Sequence, residues 1–162
     1  MDKQRARQLY ELADRLSKLD VNTLSEEQIT ALIENKRVIG PQKDVKEVLN
    51  AIEIYENLEN YNPVSEKSFL LAHQNLMNNL IENAGKYRTK GVGIVKGSKV
   101  EHVAPPFENV PFLMKDLFDY LNDSEEITLI KSCVLQAKIR IFLKLGHKKG
   151  NTKNCIPFFN II

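Results

Sequence analysis

Residues 84–122 read AGKYRTKGVGIVKGSKVEHVAPPFENVPFLMKDLFDYLN, and this stretch decides the fold. Two short runs, Val92–Val95 and Val100–Val103, flank Lys96, Gly97, Ser98 and Lys99, the composition of a tight hairpin turn. Pro105 and Pro106 end the pairing, because proline has no N–H to give to the ladder. Asn109 is then the expected cap of a helix with Pro111 in its first turn and Leu113, Leu117, Phe118 and Leu121 along one face.

Outward from the hairpin the periodicity is helical throughout. Upstream, Phe69, Leu70, His73, Leu76, Met77 and Leu80 mark a helix that Gly85 stops, with Ser65 as its cap. Before it, Val45, Val48, Leu49, Ile52 and Leu58 predict one long helix over about 43–59. Ser25 and Gln28 form a capping box for a helix that buries Ile29, Leu32 and Ile33, and Glu26 and Glu27 suit the positive end of its dipole. A first helix is read from Leu9, Ala13, Leu16 and Leu19. Downstream, EITLIKSCVLQAKIRIFLKL is apolar on nearly every side, which predicts a central helix ended by Gly146. The expected class is mostly α, a helical bundle with one small β-hairpin.

Composition narrows the partners. At 162 residues there is room for one domain, and 43% hydrophobic with 27% charged residues is ordinary for a globular chain. Lys and Arg alternate with Asp and Glu up to Glu126, which argues against a nucleic-acid partner. Beyond it Lys131, Lys138, Arg140, Lys144, Lys148, Lys149 and Lys153 meet no acid, and a basic nucleic-acid contact there is the weakest alternative. No run is long and apolar enough for a membrane span, and MDKQRARQLYELADRL lacks a signal-peptide core, so a cytoplasmic protein with no membrane partner is expected. Cys133 and Cys155 have no metal or redox spacing; a buried thiol and an incidental one are expected.

The segment quoted above resembles the corresponding part of Fic/DOC family proteins almost throughout. The turn AGKYR, the hairpin, the APP exit and MKDLFDYLN carry the likeness, FLLAHQNLMNNL upstream adds to it, and it spans residues 25 to 138. Fic proteins with an inhibitory helix carry Ser or Thr, three residues, Glu, then Gly or Asn; Thr30, Ala31, Leu32, Ile33, Glu34 and Asn35 match. The resemblance implies transfer of AMP from ATP to a hydroxyl of a target protein, with ATP and Mg2+ required by members that carry the whole catalytic loop. It also implies a flap, Val92, Gly93, Ile94, Val95, Lys96, Gly97, Ser98, Lys99 and Val100, whose edge holds an extended target segment. Residue by residue, Thr30, Glu34 and Asn35 map onto the inhibitory motif, where the Glu takes the arginine that otherwise binds the γ-phosphate. Glu34 read alone is a solvated helix carboxylate, the hairpin alone a surface turn, and His73 a packed core histidine.

The family's loop reads His, any residue, Phe, any residue, Asp or Glu, Gly, Asn, Gly, Arg, two residues, Arg. It is due within a few residues of the last helix. FLKLGHKKGNTKNC stands there instead, with no Phe two residues after His147, no acid and no Arg. His147, Gly150 and Asn151 read as ordinary residues past a helix end. No catalytic residue and no metal ligand is therefore assigned, and an inactive enzyme is expected. A family run Ala, Lys, Phe, Glu, Phe read after insertion of one adenine gives Lys, Ile, Arg, Ile, the residues at Lys138–Ile141, so truncation or a frameshift before the loop is the expected cause.

The expected organisation is an N-terminal helix 1–22, an inhibitory segment 23–40, a partial Fic domain 41–145 with the flap at 92–103, and an atypical tail 146–162. The core is expected to be incomplete at its C-terminal side, opening self-association through an exposed core face. Alternative readings are a binding module that recognises a protein through the flap or regulates an intact Fic protein in trans, and an enzyme completed by residues of another chain.

Overall fold

The computed structural model describes residues 11, 22–91, 93–96 and 99–142. Residues 1–10 and 12–21 of the expected N-terminal helix, the flap tip at Gly97 and Ser98, Val92, and the tail with His147 and Cys155 lie outside these residues. The described chain divides into two compact units, one of residues up to Pro63 with Lys67–Lys86, the other of Val64–Glu66 with Tyr87 onward.

In the first unit, α1 spans Glu26–Ile33 and α2 spans Gln42–Glu56. The capping box at the start of α1 is present in full: Gln28 N–H donates to Ser25 Oγ at 3.3 Å, and Gln28 Oε1 accepts from Ser25 N–H at 2.9 Å. Two of the four orphan donors of the first turn are thereby satisfied. Ser25 Oγ also donates to the Glu27 carboxylate, which lies below its usual range because of that bond. Asn22 holds the segment before α1 onto α2: its Nδ2 donates to Asp44 O at 3.1 Å and Glu47 Oε2 at 3.3 Å, and Thr23 bonds the Asp44 carboxylate. Burial raises the Glu47 carboxyl above its ordinary value.

α2 ends earlier than its periodicity predicts, at Glu56, and a 3-10 turn at Leu58–Asn60 follows. Asn57 is the reason: its Nδ2 bonds back to Glu53 O at 2.8 Å, competing with the helix. Val48 and Ile52 are buried as expected, whereas Leu49 and Leu58 are exposed. The third helix, α3, spans Glu66–Leu76. It too is shorter than expected, because Asn79 adopts φ 60 and turns the chain out of the helix before Gly85 is reached. Asn50, 1% exposed on α2, donates from Nδ2 to the carbonyls of Leu76 and Asn78, each at 2.9 Å. A side chain from α2 thus satisfies carbonyls that the end of α3 leaves open.

In the second unit, β1 (Gly93–Lys96) and β2 (Lys99–Val103) pair antiparallel as a two-stranded sheet. Gly93 faces Val103, Ile94 faces His102, Val95 faces Val100 and Lys96 faces Lys99. The register shifts between Ile94 and Val95, which leaves Glu101 as the extra residue of a bulge. A 3-10 turn, Phe107–Asn109, leads into α4 (Val110–Asp123); Asn109 stands at the N-cap as expected, but with helical backbone and no side-chain cap bond, and Pro111 lies in the first turn. Val110, Met114, Leu117, Phe118 and Leu121 are buried along α4, at about 1.5–3 kcal/mol for each large apolar side chain. Asn122 donates to Val64 O at 3.0 Å and Phe118 O at 2.7 Å, fixing the far end of α4.

The last helix, α5 (Thr128–Phe142), rests on α4 through Lys131, whose Nζ donates to Leu121 O at 2.8 Å, and buries Ile139. It is not central as its composition predicts. Leu129 is 69% exposed and Ile130 42%, Ile127 just before the helix is 63% exposed, and Cys133, expected to be buried, is exposed as well. An all-round apolar helix needs neighbours on every side, and among the described residues α5 has them on one side only.

Candidate functional site

The end of α1 carries the motif residues. Ile33 is its last residue and Glu34 its C-cap, and Asn35 follows at φ 58. Asn35 N–H donates to Leu32 O at 3.0 Å and Lys36 N–H to Ala31 O at 2.8 Å. This is the paired bonding of a Schellman motif, whose left-handed position takes Gly or Asn and little else. The Gly-or-Asn requirement of the motif is therefore a backbone requirement. Thr30, half-buried, receives the Glu34 N–H on its carbonyl at 3.0 Å. The Glu34 carboxylate projects at the negative end of the α1 dipole, where an anion is disfavoured and a cation is welcome. Lys36 fills that role, with Nζ 2.6 Å from Glu34 Oε2. Both side chains are exposed to solvent, so the pair contributes at most about 1 kcal/mol. Lys36 was not singled out from the sequence, although its two-residue offset past a helix end is the usable signal.

The hairpin residues lie in the other unit. Its base is held by Arg88, whose Nη1 donates to Lys90 O at 3.0 Å and whose Nη2 donates to Pro105 O. One guanidinium thereby joins the chain entering β1 to the chain leaving β2, a fork that lysine cannot reproduce. Arg88 Nε is buried without a partner. Beside it, Tyr87 Oη donates to Glu66 Oε1 at 2.6 Å. Burial, and then this bond and the carboxylate charge, push the Tyr87 hydroxyl far above its ordinary pKa of 10.0. Among the described residues neither strand has a second strand beside it.

His73 sits half-buried on α3, its pKa lowered by burial, and Nδ1 accepts the Gly85 N–H at 2.8 Å. This bond ties α3 to the turn at Gly85. An open polar groove in the same unit is lined by Gln74, Asn78, Asn79, Ile81, Glu82 and Lys86, and Thr30, Glu34 and Asn35 are not among its lining residues.

Residues 63–141 match the model of the Fic/DOC family. Residues 63–141 belong to the Fic/DOC family. A crystal structure of a Fic family protein from Desulfovibrio desulfuricans G20 resembles this Fic/DOC chain with a TM-score of 0.77 at 36% identity. The match covers 88% of this chain and 44% of that one, so the chain spans under half the length of that relative. No curated protein matches. The matched region takes in α3, the hairpin, α4 and most of α5, and α1 with its motif lies before it.

Among the described residues no group of three His, Cys, Asp or Glu is placed to hold a metal ion. No Asp or Glu follows Glu126 anywhere in the sequence. The residues after α5 therefore supply no carboxylate to hold such a metal ion. Among the described residues no helix is long and apolar enough to cross a membrane.

Proposed function

We propose that this chain is a target-binding Fic-type domain that does not itself transfer AMP. The observation that carries this reading is the sequence after α5: the position where the family's acid and arginines are due holds FLKLGHKKGNTKNC, with lysines and no carboxylate. Phosphoryl chemistry depends on positioned cations and a metal-holding acid, and their loss removes most of the electrostatic stabilisation of the transition state.

In this reading the hairpin is the family's flap. Its free strand edges, clamped at the base by Arg88, pair with an extended segment of a target protein through main-chain hydrogen bonds. The edge geometry supports it, since a two-stranded ribbon has unpaired N–H and C=O groups on both outer sides. Thr30, Glu34 and Asn35 form the inhibitory element, with Glu34 held ready for an arginine carried by an intact Fic protein in trans. The Schellman geometry that fixes Asn35 and aims Glu34 outward supports this part.

The test is retention of a protein partner by the immobilised chain, compared with a variant in which residues 92–103 are replaced by a short Gly-Ser linker. Retention that needs the hairpin supports the reading. Equal retention by both forms, with both folded, contradicts it.

A further inference from the structure

The exposed face of α5 is self-complementary, and we propose that it is an antiparallel interface between two copies of this chain, with the two-fold axis passing beside Cys133. The inference stands independently of the proposed Fic-type role. Leu129, Ile130, Cys133 and Ala137 are all exposed and fall on one face of the helix by the three- and four-residue spacing that stacks side chains. No charged residue interrupts this stripe. Leu129 lies one turn before Cys133 and Ala137 one turn after it. An antiparallel copy centred on Cys133 therefore sets the large Leu129 of each chain against the small Ala137 of the other, as packed helix seams require.

Charge selects the same direction. Glu125 and Glu126, both exposed, precede the N-terminal end of the stripe, and exposed Lys138 lies just past Ala137 at its other end. Antiparallel pairing brings each Lys138 to the acidic end of the other copy. Parallel pairing would oppose like charges at both ends and set Leu129 against Leu129. A surface that contacts itself across a two-fold axis is the commonest closed arrangement of identical chains. One helix seam is small, below roughly 1,000 Å2, the size class of weak and reversible associations.

The experiment uses the full 162-residue chain with Cys155→Ser, so that Cys133 is the single thiol. Sedimentation across a concentration series is expected to show a reversible monomer–dimer equilibrium, and a short bis-maleimide is expected to join the dimer through Cys133. Leu129→Asp, at a solvent-exposed position, is expected to weaken the dimer at least about tenfold with an unchanged far-UV circular dichroism spectrum. Lys138→Glu is expected to weaken it, and Lys138→Glu combined with Glu125→Lys and Glu126→Lys to restore it. A chain that stays monomeric throughout overturns the proposal. So does a monomer whose Cys133 resists maleimide, which would mean that a segment of the same chain covers the stripe. A dimer that persists in Leu129→Asp, or open-ended aggregates without Cys133 linkage, also overturn it.

Discussion

The amide of Gly85 donates to Nδ1 of His73 across 2.8 Å, so this imidazole is held neutral with its proton on Nε2. Burial lowers its pKa from the ordinary 6.5, because the charged form loses its water. Because the folded value lies below the unfolded one, the unfolded chain takes up the proton first as pH falls. The stability this histidine contributes is full above about pH 6.5 and is lost as pH drops from there through its lowered folded value. Urea unfolding at pH 8 and pH 5 is expected to show that loss, and His73→Gln, which keeps an acceptor for Gly85 but cannot titrate, is expected to reduce it. An unchanged pH dependence in His73→Gln would show that other groups account for the loss.

Gly85 also has φ +73, and a Cβ there would lie 2.7 Å from Gln74 Cβ and 3.0 Å from the Leu70 carbonyl. Neither neighbour is the free end of a flexible chain. Gly85→Ala is expected to destabilise the protein by about 2 kcal/mol or more, from left-handed strain and the close approach together. The midpoint of denaturant unfolding measures it, and a shift below about 0.5 kcal/mol would contradict the geometry.

Tyr87 is expected to stand apart from the four other tyrosines of this chain. Its side chain is half-buried and its hydroxyl donates to Glu66, so its ionisation lies above the usual phenol range. The sign follows directly: the unfolded chain releases this proton near its ordinary 10.0 while the folded one keeps it, so stability falls as pH rises past that value. Absorbance titration of tyrosinate is expected to show one residue that ionises only when the protein unfolds. Tyr87→Phe is expected to abolish that late step and to cost about 1–3 kcal/mol, because it leaves the half-buried Glu66 without its donor.

Much of this was open to reading in the sequence where the signal is local. Ser25 and Gln28 gave the start of α1, and the apolar spacing of residues 110–121 gave the buried face of α4. What the sequence could not convey is whether a partner exists. Leu49, Leu129 and Cys133 fit an apolar period, yet period alone says which side of a helix is apolar and nothing of what lies against it. Long-range pairs such as Tyr87 with Glu66, or Arg88 with the Pro105 carbonyl, have no sequence period at all. The apolar period runs past the true helix ends because Asn57 and Asn79, which leave the helix by a side-chain bond and a left-handed turn, carry no mark in that period. At the candidate site, the motif from Thr30 to Asn35 was visible as a pattern, but the backbone reason for its last residue and the pairing of Glu34 with Lys36 came only with the geometry.

At Asn35 the left-handed turn makes a sharp distinction between substitutions. Asn35→Gly is expected to change stability by no more than a few tenths of a kcal/mol, since glycine suits the position at least as well. Asn35→Val is expected to cost about 1–2 kcal/mol and to fray the end of α1, because a β-branched residue resists positive φ. Thermal unfolding of the two variants side by side checks this, and equal melting points would count against the Schellman end.

The central claim is that this Fic-type chain recognises a target without transferring AMP. Incubation of the purified 162-residue chain with α-labelled ATP, Mg2+ and a cell lysate, beside an intact Fic protein as a positive control, tests it most directly. The account predicts no labelled protein above background with this chain while the control labels its target. A labelled protein that depends on this chain would contradict it.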